Sequence, residues 1–300
     1  MEKWTLIPCN LCGSDEYSVR YRPTKEVTPS AEFFGVGHFL RGTQQIVQCK
    51  QCQLVYVNPR LETEFIKTAY ENNSCEEYLS QAESRKATFK RSLVFLEKYV
   101  APNRRNLLDV GCGAGLFLAA AKERNWRVHG VELCRWFVEK APASCRSFIQ
   151  IGTLQEARYP DESFDTITLW DVIEHLPNPK SSLLEIQRLL KKGGFLVINF
   201  PDIDSFSSKI TRSAWWYLIS THLYYFSTTT LKKLLTELGF SMMIHKTHLQ
   251  ILQLGYLIQL LTMYHQGLGQ LMTTIVKGLQ LGAVEITFSS GETTLIAQKK

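Results

Sequence analysis

The segment Asn-Leu-Leu-Asp-Val-Gly-Cys-Gly-Ala-Gly at residues 106–115 constrains the fold of this 300-residue chain more than any other feature. Its first half is a short apolar strand, and glycine occupies every second position of its second half. Because glycine lacks a Cβ, the backbone here turns sharply and comes close to a ligand. Residues 116–123 then read as a helix whose first amides face that ligand. The segment predicts a strand, a glycine turn and a helix that cradle a nucleotide cofactor.

The glycine spacing and the next strand narrow the choice of cofactor. Gly111, Gly113 and Gly115 give the spacing G-x-G-x-G, whereas a loop that wraps a dinucleotide pyrophosphate has the spacing G-x-G-x-x-G. The strand predicted at residues 127–131 ends in Glu132, about twenty residues beyond the first glycine, where a carboxylate accepts ribose hydroxyls. We therefore expect an adenosine-containing cofactor other than NAD.

Two later segments continue the alternation of strands and helices. Residues 164–176 read as a strand followed by an acidic turn, and residues 189–198 read as a helix end, a Gly-Gly cap and an apolar strand. In order, spacing and residue type, the segments over about residues 105–245 resemble the class I S-adenosylmethionine-dependent methyltransferases. The resemblance implies an α/β fold with a doubly wound, Rossmann-like, seven-stranded sheet.

The resemblance also implies which residues bind S-adenosylmethionine. It places the three loop glycines around the methionine part, Asp109 in the hydrogen bonding of the loop, and Glu132 at the ribose. Thr153 and Leu154 would flank the adenine, although relatives often carry an acidic residue where Thr153 stands. Trp170 and Asp171, at the end of the fourth strand, would lie where the cofactor ends and the substrate begins. The cofactor positions implied are Asp109, Gly111, Gly113, Gly115, Glu132, Thr153, Leu154, Trp170 and Asp171.

A hydroxyl acceptor loses a proton when it is methylated, and the acidic turn offers candidate bases. Asp171, Glu174 and His175 are spaced i, i+3 and i+4, which one helical turn would bring to a single face. The stretch resembles the acid-x-x-Glu-His stretches of ubiquinone-biosynthesis O-methyltransferases, where they are associated with magnesium. Direct base catalysis by His175 and a magnesium site are thus both open, and His222 is a second candidate base. The alternative is that these residues only organise the turn and the aromatic segment around it.

Two Cys-x-x-Cys pairs lie near the N-terminus. Cys9 and Cys12 form the first pair, and Cys49 and Cys52 form the second. Paired thiolates at this spacing are typical of tetrahedral structural zinc, which would add folding energy to a small module. Redox-active or incidental cysteines are the alternatives. The loop between the pairs contains Phe-Phe-Gly-Val-Gly at residues 33–37, which either contacts substrate or packs.

The expected domain boundaries follow from these motifs. We expect a zinc-binding module at residues 1–60, a helical linker or lid at 61–104, and the methyltransferase domain at 105–300. Within that domain we expect an aromatic lid at 205–230 and a helical insertion before the last strand at 249–283. The insertion is uncharged over residues 249–276, so we expect it to cover the substrate cleft, form a homodimer contact or contact a membrane surface, in that order.

Charge and cysteine usage limit the partners and the location. The net charge of +6 permits an anionic substrate without requiring nucleic acid. Eight cysteines without an apolar leader favour the reducing cytoplasm, and no apolar run reaches the about 18 residues of a transmembrane helix. The zinc pairs and the His-Leu-Tyr-Tyr-Phe lid resemble bacterial glycan and natural-product tailoring methyltransferases. The resemblance implies O-methylation of a sugar, lipid or related small molecule; an RNA methyltransferase that binds nucleic acid through the zinc module is the alternative.

Overall fold

The computed structural model describes residues 4–25, 42–72, 74–264 and 266–300. The stretch at residues 33–37, a candidate substrate contact in the sequence, lies outside the described residues. The N-terminal part contains short strands and then three helices. They are β1 (Trp4–Thr5), β2 (Tyr17–Tyr21), β3 (Ile46–Cys49), β4 (Val55–Val57), β5 (Arg60–Leu61), α1 (Thr63–Glu71), α2 (Glu76–Ser80) and α3 (Ala82–Leu96).

The rest of the chain alternates strands with helices. Its strands are β6 (Asn106–Val110), β7 (Arg127–Glu132), β8 (Ile149–Ile151), β9 (Phe164–Trp170), β10 (Leu190–Pro201), β11 (Tyr224–Tyr225), β12 (Phe240–Thr247), β13 (Gln250–Gln253), β14 (Glu285–Phe288) and β15 (Glu292–Lys299). Its helices are α4 (Leu116–Lys122), α5 (Arg135–Lys140), α6 (Ala143–Arg146), α7 (Pro179–Leu189), α8 (Phe206–Thr211), α9 (Thr228–Glu237), α10 (Leu254–Tyr264) and α11 (Gln266–Gly278).

A seven-stranded sheet organises the fold, in the order β12-β15-β10-β9-β6-β7-β8. The strands from β8 to β10 pair in parallel, and β15 pairs antiparallel with both of its neighbours. Helices α3 and α4 pack on one face of the sheet, while α7 and α9 pack on the other. Strands covered on both faces read as continuous apolar runs, as residues 195–198 of β10 do. The predicted doubly wound α/β fold is confirmed.

The end of α7 differs in detail from its prediction. The sequence predicts that Gly193 and Gly194 cap the helix, but the helix already ends at Leu189 and both glycines lie within β10. A register shift between Leu190 and Phe195 absorbs them. A Cβ on Gly194 would lie 2.8 Å from the Lys191 carbonyl oxygen, so these glycines serve the irregular start of the strand.

The aromatic segment before α9 joins the N-terminal sheet. Strand β11 pairs antiparallel with β4, which places Tyr224 opposite Tyr56 and completes a four-stranded sheet in the order β11-β4-β3-β2. Leu223 and Tyr224 share one apolar core with Leu54 and with the helices below the main sheet. The N-terminal module is therefore packed directly against the sheet that carries the glycine loop.

The insertion before the last strand forms a helical hairpin on a two-stranded base. Strands β13 and β14 pair antiparallel, and α10 and α11 lie between them in sequence. The β13–β14 pair contacts α3 through two hydrogen bonds. The hydroxyl oxygen of Thr88 accepts the backbone N–H of Ile251 at 2.8 Å, and the hydroxyl of Ser84 donates to the carboxylate of Glu285 at 3.0 Å. Across the described ranges of the chain, no helix combines the length and apolar character that crossing a bilayer requires.

Candidate active site

The glycine turn after β6 depends on its three glycines. Their φ angles are +67° at Gly111, +52° at Gly113 and +65° at Gly115, in the left-handed region that residues with a Cβ rarely adopt. A Cβ on Gly111 would lie 2.7 Å from Cγ2 of Val172, and one on Gly115 would lie 3.0 Å from Sγ of Cys145. Val172 belongs to the acidic turn after β9, so that turn packs directly against the glycine loop.

Glu132 at the end of β7 holds the loop in place. Its Oε2 accepts the N–H of Gly113 at 2.8 Å, and its Oε1 accepts the N–H of Cys134 at 2.8 Å. Burial raises the pKa of Glu132, and these amide bonds oppose the increase. A carboxylate has about four lone-pair sites, so Glu132 can accept a further hydrogen bond besides those of the backbone amides. The glycine cradle and this remaining acceptor capacity fit an adenosine cofactor with ribose hydroxyls to donate.

Asp109 lies beneath the loop and links two strands. Its Oδ1 accepts the hydroxyl of Thr168 on β9 at 2.6 Å. Burial raises the pKa of Asp109 to about 8, because the charged form loses its hydration. The hydrogen bonding of Asp109 therefore fixes β6 against β9 at the point where the loop begins.

Three other predicted cofactor residues have local roles in the structure. The N–H of Thr153 donates to Glu156 Oε2 at 2.7 Å, while its own hydroxyl oxygen accepts the N–H of Glu156 at 3.2 Å, which closes the turn after β8. Leu154 is buried in the core. Trp170 packs against Phe89 and Phe117 on the α3–α4 side of the sheet.

The acidic turn brings together a different set of side chains from the one that helical spacing predicts. Residues 171–176 form a turn and not a helix, and the N–H of His175 bonds the carbonyl oxygen of Val172 at 3.0 Å. Glu174, His175 and His222 each direct one ligand atom into a cluster in which all of these atoms lie within 4.8 Å of one another. Asp171 has φ +55° and instead accepts the side-chain amide of Asn199 at 2.6 Å.

Burial dominates the electrostatics of this Glu174–His175–His222 cluster. Glu174 is 2% exposed, and neither of its carboxylate oxygens has a hydrogen-bond partner within the described residues. Burial raises the pKa of Glu174, and the charge of Asp171 raises it further. Burial lowers the pKa of His175 to about 4, and burial and His175 together lower the pKa of His222 well below its usual range. Both imidazoles are therefore neutral at pH 7.

Backbone carbonyls orient the two histidines. Nδ1 of His175 lies 2.9 Å from the carbonyl oxygen of Thr221 and 2.6 Å from the hydroxyl of Tyr70. Because a carbonyl only accepts, this contact puts the ring proton on Nδ1 and leaves the lone pair on Nε2. The ring of His222 bonds the backbone of Tyr217, and its Nδ1 has no partner among the described residues. The two rings meet edge to face with centroids 4.7 Å apart.

A second buried network surrounds Asp171. Asn199 also donates to Glu292 at 3.2 Å, and the hydroxyl of Tyr217 donates to the same carboxylate. Burial raises the pKa of Asp171 to about 8, and the nearby charge of Glu292 adds to the effect. This network fixes the C-terminal ends of β9 and β10 behind the cluster.

The structure adds functional candidates that the sequence did not single out. Tyr70 of α1 contacts His175, and the hydroxyl of Tyr78 on α2 lies 3.5 Å from where a Cβ of Gly113 would be. The guanidinium of Arg85 lies 4.4 Å from the ring centroid of Tyr78. The sequence signal for the two tyrosines is a polar aromatic residue on a helix, which is equally typical of ordinary packing.

The four N-terminal cysteines converge on one point. Sγ of Cys9 lies 3.3 Å from that of Cys52, Sγ of Cys12 lies 3.5 Å from that of Cys49, and all four sulfurs lie within 4.8 Å of one another. Tetrahedral Zn–S bonds of 2.3 Å separate the sulfurs by roughly 3.8 Å, so this arrangement could hold zinc. Burial raises the pKa of Cys9 to about 11; at Cys49 the amide bonds from Cys52 and Gln51 outweigh burial and lower the pKa to about 7.

The mostly parallel sheet with a glycine turn after β6 is a Rossmann-like arrangement. A family model described as a methyltransferase domain matches residues 78–245, which is more than half of the chain. The chain belongs to this methyltransferase family.

Individual relatives match over shorter segments. A ubiquinone biosynthesis O-methyltransferase of Alkalilimnicola ehrlichii is 31% identical over 101 residues, which are 32% of this chain and 41% of the relative. An uncharacterized 37.1 kDa transposon protein of Streptomyces fradiae is 30% identical over 135 residues, which are 43% of this chain and 39% of the relative. The chain thus spans about half the length of the curated relatives it matches.

The fold also resembles solved structures. One is a methyltransferase of Thermotoga maritima, described as S-adenosylmethionine-dependent and as a possible histamine N-methyltransferase. The TM-score is 0.50 at 22% identity, and the match covers 75% of this chain and 94% of that chain. At this identity the likeness supports the fold alone.

Proposed function

We propose that this methyltransferase methylates a hydroxyl oxygen of a small-molecule acceptor, such as a sugar, lipid or related metabolite. The observation that carries the proposal is the buried Glu174–His175–His222 cluster, which adjoins the glycine loop through Val172. S-adenosylmethionine supplies a methyl group on a good leaving group, so the protein must mainly align the acceptor and accept its proton. The cluster offers neutral imidazole nitrogens for that proton.

The proposed roles divide between the two ends of the site. Gly111, Gly113 and Gly115 hold the methionine part, and Glu132 accepts the ribose hydroxyls. Thr153 and Leu154 flank the adenine, while Trp170 and Asp171 border the acceptor. His175 takes the acceptor proton at Nε2, since Thr221 occupies Nδ1. Tyr70 positions the ring, and His222 and Glu174 complete the proton-accepting cluster.

We also propose a structural zinc ion bound by Cys9, Cys12, Cys49 and Cys52. The sulfur separations support it, and no disulfide joins any two of these four residues. Such thiolates persist in a reducing compartment, which favours the cytoplasm. Because β4 also pairs with β11, zinc would stabilise the segment that carries His222.

The proposed domain boundaries are residues 1–60, 61–104 and 105–300. A lid role for residues 61–104 is supported by Tyr70 and Tyr78, which reach the acidic turn and the glycine loop. Within the last domain, residues 205–230 carry His222 to the site, and residues 249–283 form the insertion. Leu271 and Leu279 of the insertion are 58% and 63% exposed, which supports a homodimer or peripheral membrane contact there.

Single and double histidine variants test the proposal. General-base catalysis contributes about a hundredfold to ten-thousandfold, so His175→Ala should lower turnover by that factor and leave cofactor affinity nearly unchanged. His222→Ala should lower it less, and His129→Ala, which changes a histidine on β7 outside the cluster, should have no such effect. Normal turnover in the His175→Ala, His222→Ala double variant would contradict the proposal. Transfer of label to bulk RNA in place of small molecules would favour the RNA alternative.

A further inference from the structure

A cleft lies between the N-terminal sheet and the aromatic segment. Its volume is about 320 Å³, and its lining residues fall within 21–25, 42–46 and 213–225. We infer that this cleft binds a phosphorylated small molecule, with the phosphate at Arg22 and Lys25 and the organic part against the buried wall of the cleft. This binding does not depend on the proposed methylation of a hydroxyl.

The charged side chains that line the cleft are both cations, Arg22 and Lys25. Both are exposed, and neither forms an ion pair with any residue that the structure describes. No carboxylate is among the described lining residues. Two cations without a counter-charge attract an anion, and the forked N–H groups of arginine match the oxygens of a phosphate. The charge of the cleft therefore favours an anionic ligand.

A buried donor in the lining is an independent observation. Gln44 is 6% exposed, and its Nε2 atom has no hydrogen-bond partner within the described residues. A buried amide NH₂ group without an acceptor costs free energy, so native structures seldom contain one. An oxygen of a ligand in the cleft would accept this hydrogen bond. Gln44 therefore points to an organic part that carries an acceptor oxygen.

The buried wall of the cleft is largely apolar. It consists of the side chains of Ile46, Leu218, Ile219 and Tyr225, and Tyr21 adds a half-buried ring beside them. Inorganic phosphate would leave this wall uncovered, whereas the ring or chain of an organic phosphate would cover it. Apolar walls with a few polar groups that fix orientation are typical of small-molecule sites, whose volumes are roughly 300 to 1,000 Å³. The cleft therefore fits a small organic phosphate.

The buried wall also contacts His222. The ring centroids of Tyr225 and His222 are 6.1 Å apart, and the N–H of His222 donates to the carbonyl oxygen of Ile219 at 3.2 Å. The phosphate then has one of two sources. Either the methyl acceptor carries it, and binding energy from this remote group aligns the reacting hydroxyl, or a separate effector carries it and acts on His222 through the shared wall.

Isothermal titration calorimetry on the full chain tests the binding with matched pairs of ligands. Ribose phosphate is compared with ribose, and uridine monophosphate with uridine, while inorganic phosphate represents the phosphate without an organic part. We expect at least one monophosphate to bind about tenfold more tightly than its unphosphorylated partner and than inorganic phosphate. Added salt should weaken this binding, because the cations are exposed and therefore screened.

Substitutions in the lining locate the binding. The double variant Arg22→Gln, Lys25→Gln should raise the dissociation constant of the monophosphate about tenfold. The control Lys50→Gln makes the same kind of change at an exposed lysine outside the cleft and should not raise it. Gln44→Leu should lower the affinity without lowering the melting temperature, because the lost Nε2 had no partner. Melting curves identify any variant that fails to fold, and the double variant at the exposed positions then carries the test.

Equal affinity in the wild type and in the Arg22→Gln, Lys25→Gln variant overturns the inference, as does a wild type that binds neither monophosphate. RNA that binds more tightly than the monophosphates, and is lost in the same variant, overturns it in favour of a nucleic-acid site. In methyl-transfer assays, a raised KM of this variant for a phosphorylated acceptor identifies the acceptor as the source. A rate that uridine monophosphate changes with an unphosphorylated acceptor identifies an effector. Methylation on nitrogen contradicts the proposed function and leaves the binding result standing.

Discussion

Replacement of Glu132 by glutamine tests the proposed cofactor site at the carboxylate that bonds the glycine loop. The wild-type carboxylate accepts the N–H groups of Gly113 and Cys134, both at 2.8 Å. Glutamine offers one carbonyl oxygen and one NH₂ group. Its oxygen accepts a hydrogen bond from only one of these backbone N–H groups, and its NH₂ group, itself a donor, faces the other N–H group. The glycine loop therefore loses one charge-assisted hydrogen bond, and the ribose contact that we propose for Glu132 loses part of its acceptor.

The expected loss of affinity follows from the strength of such bonds. A hydrogen bond to a charged group contributes about 1.5 to 3 kcal/mol, and each 1.4 kcal/mol changes a dissociation constant about tenfold. Glu132→Gln should therefore weaken S-adenosylmethionine binding by roughly 10- to 100-fold. Glu132→Ala, which removes every acceptor, should weaken it at least as much.

Isothermal titration calorimetry with S-adenosylmethionine measures the effect directly. Glu139→Gln is the matched control, because Glu139 is exposed on the neighbouring helix α5 and makes the same change in charge. Circular dichroism and melting curves confirm that each variant is folded. Unchanged affinity in Glu132→Gln, or tighter binding of NAD than of S-adenosylmethionine by the wild type, would refute the reasoning.

Three further variants test other parts of the structure. Gly111→Ala forces a Cβ to 2.7 Å from Val172 at φ +67°, and the left-handed strain of about 1 to 2 kcal/mol should raise the cofactor dissociation constant roughly tenfold in calorimetry. Cys9→Ser with Cys49→Ser should remove the zinc equivalent of the cysteine site in elemental analysis and lower the melting temperature of the whole chain; full stability without this metal would contradict the zinc site. The pKa of Asp109 rises from 3.8 to about 8 on folding. Between these two pH values the folded state binds a proton that the unfolded chain has released. The contribution of Asp109 to stability is therefore full below pH 4 and is lost as pH rises towards 8. Asp109→Asn cannot titrate, so denaturant titrations should show the variant gaining stability relative to the wild type between pH 4 and pH 8; an equal difference at both pH values would exclude the raised pKa.

Local patterns were enough to predict the central sheet. The apolar runs and turn signals located β6, β7, β9 and β10, and Glu132 is indeed the last residue of β7. The caps of α9, the helix after the aromatic segment, are also local in sequence. Its N-cap Ser227 accepts the N–H of Thr230 at 3.1 Å, and Gly239 follows it at φ +82°. These features depend on residues near one another in sequence, which is why the sequence reveals them.

Long-range pairings were not predictable in this way. Strand β11 is only two residues long and pairs with a strand more than 160 residues earlier in the chain. Local periodicity in the sequence therefore does not predict it. That pairing brings His222 to His175, whereas helical spacing pointed to Asp171 as the third member of the cluster. The orientation of Trp170 depends likewise on which face of β9 meets α3 and α4.

Transfer of a labelled methyl group is the most direct test of the central claim, that this enzyme methylates a hydroxyl oxygen of a small molecule. The enzyme is incubated with methyl-labelled S-adenosylmethionine and separate pools of sugar nucleotides, lipids, quinols and bulk RNA, and the labelled product is identified by mass spectrometry and NMR. We predict label in one small-molecule pool, as an O-methyl group, with transfer lost in the His175→Ala variant. Label in RNA, or on nitrogen or carbon of a small molecule, would contradict the account.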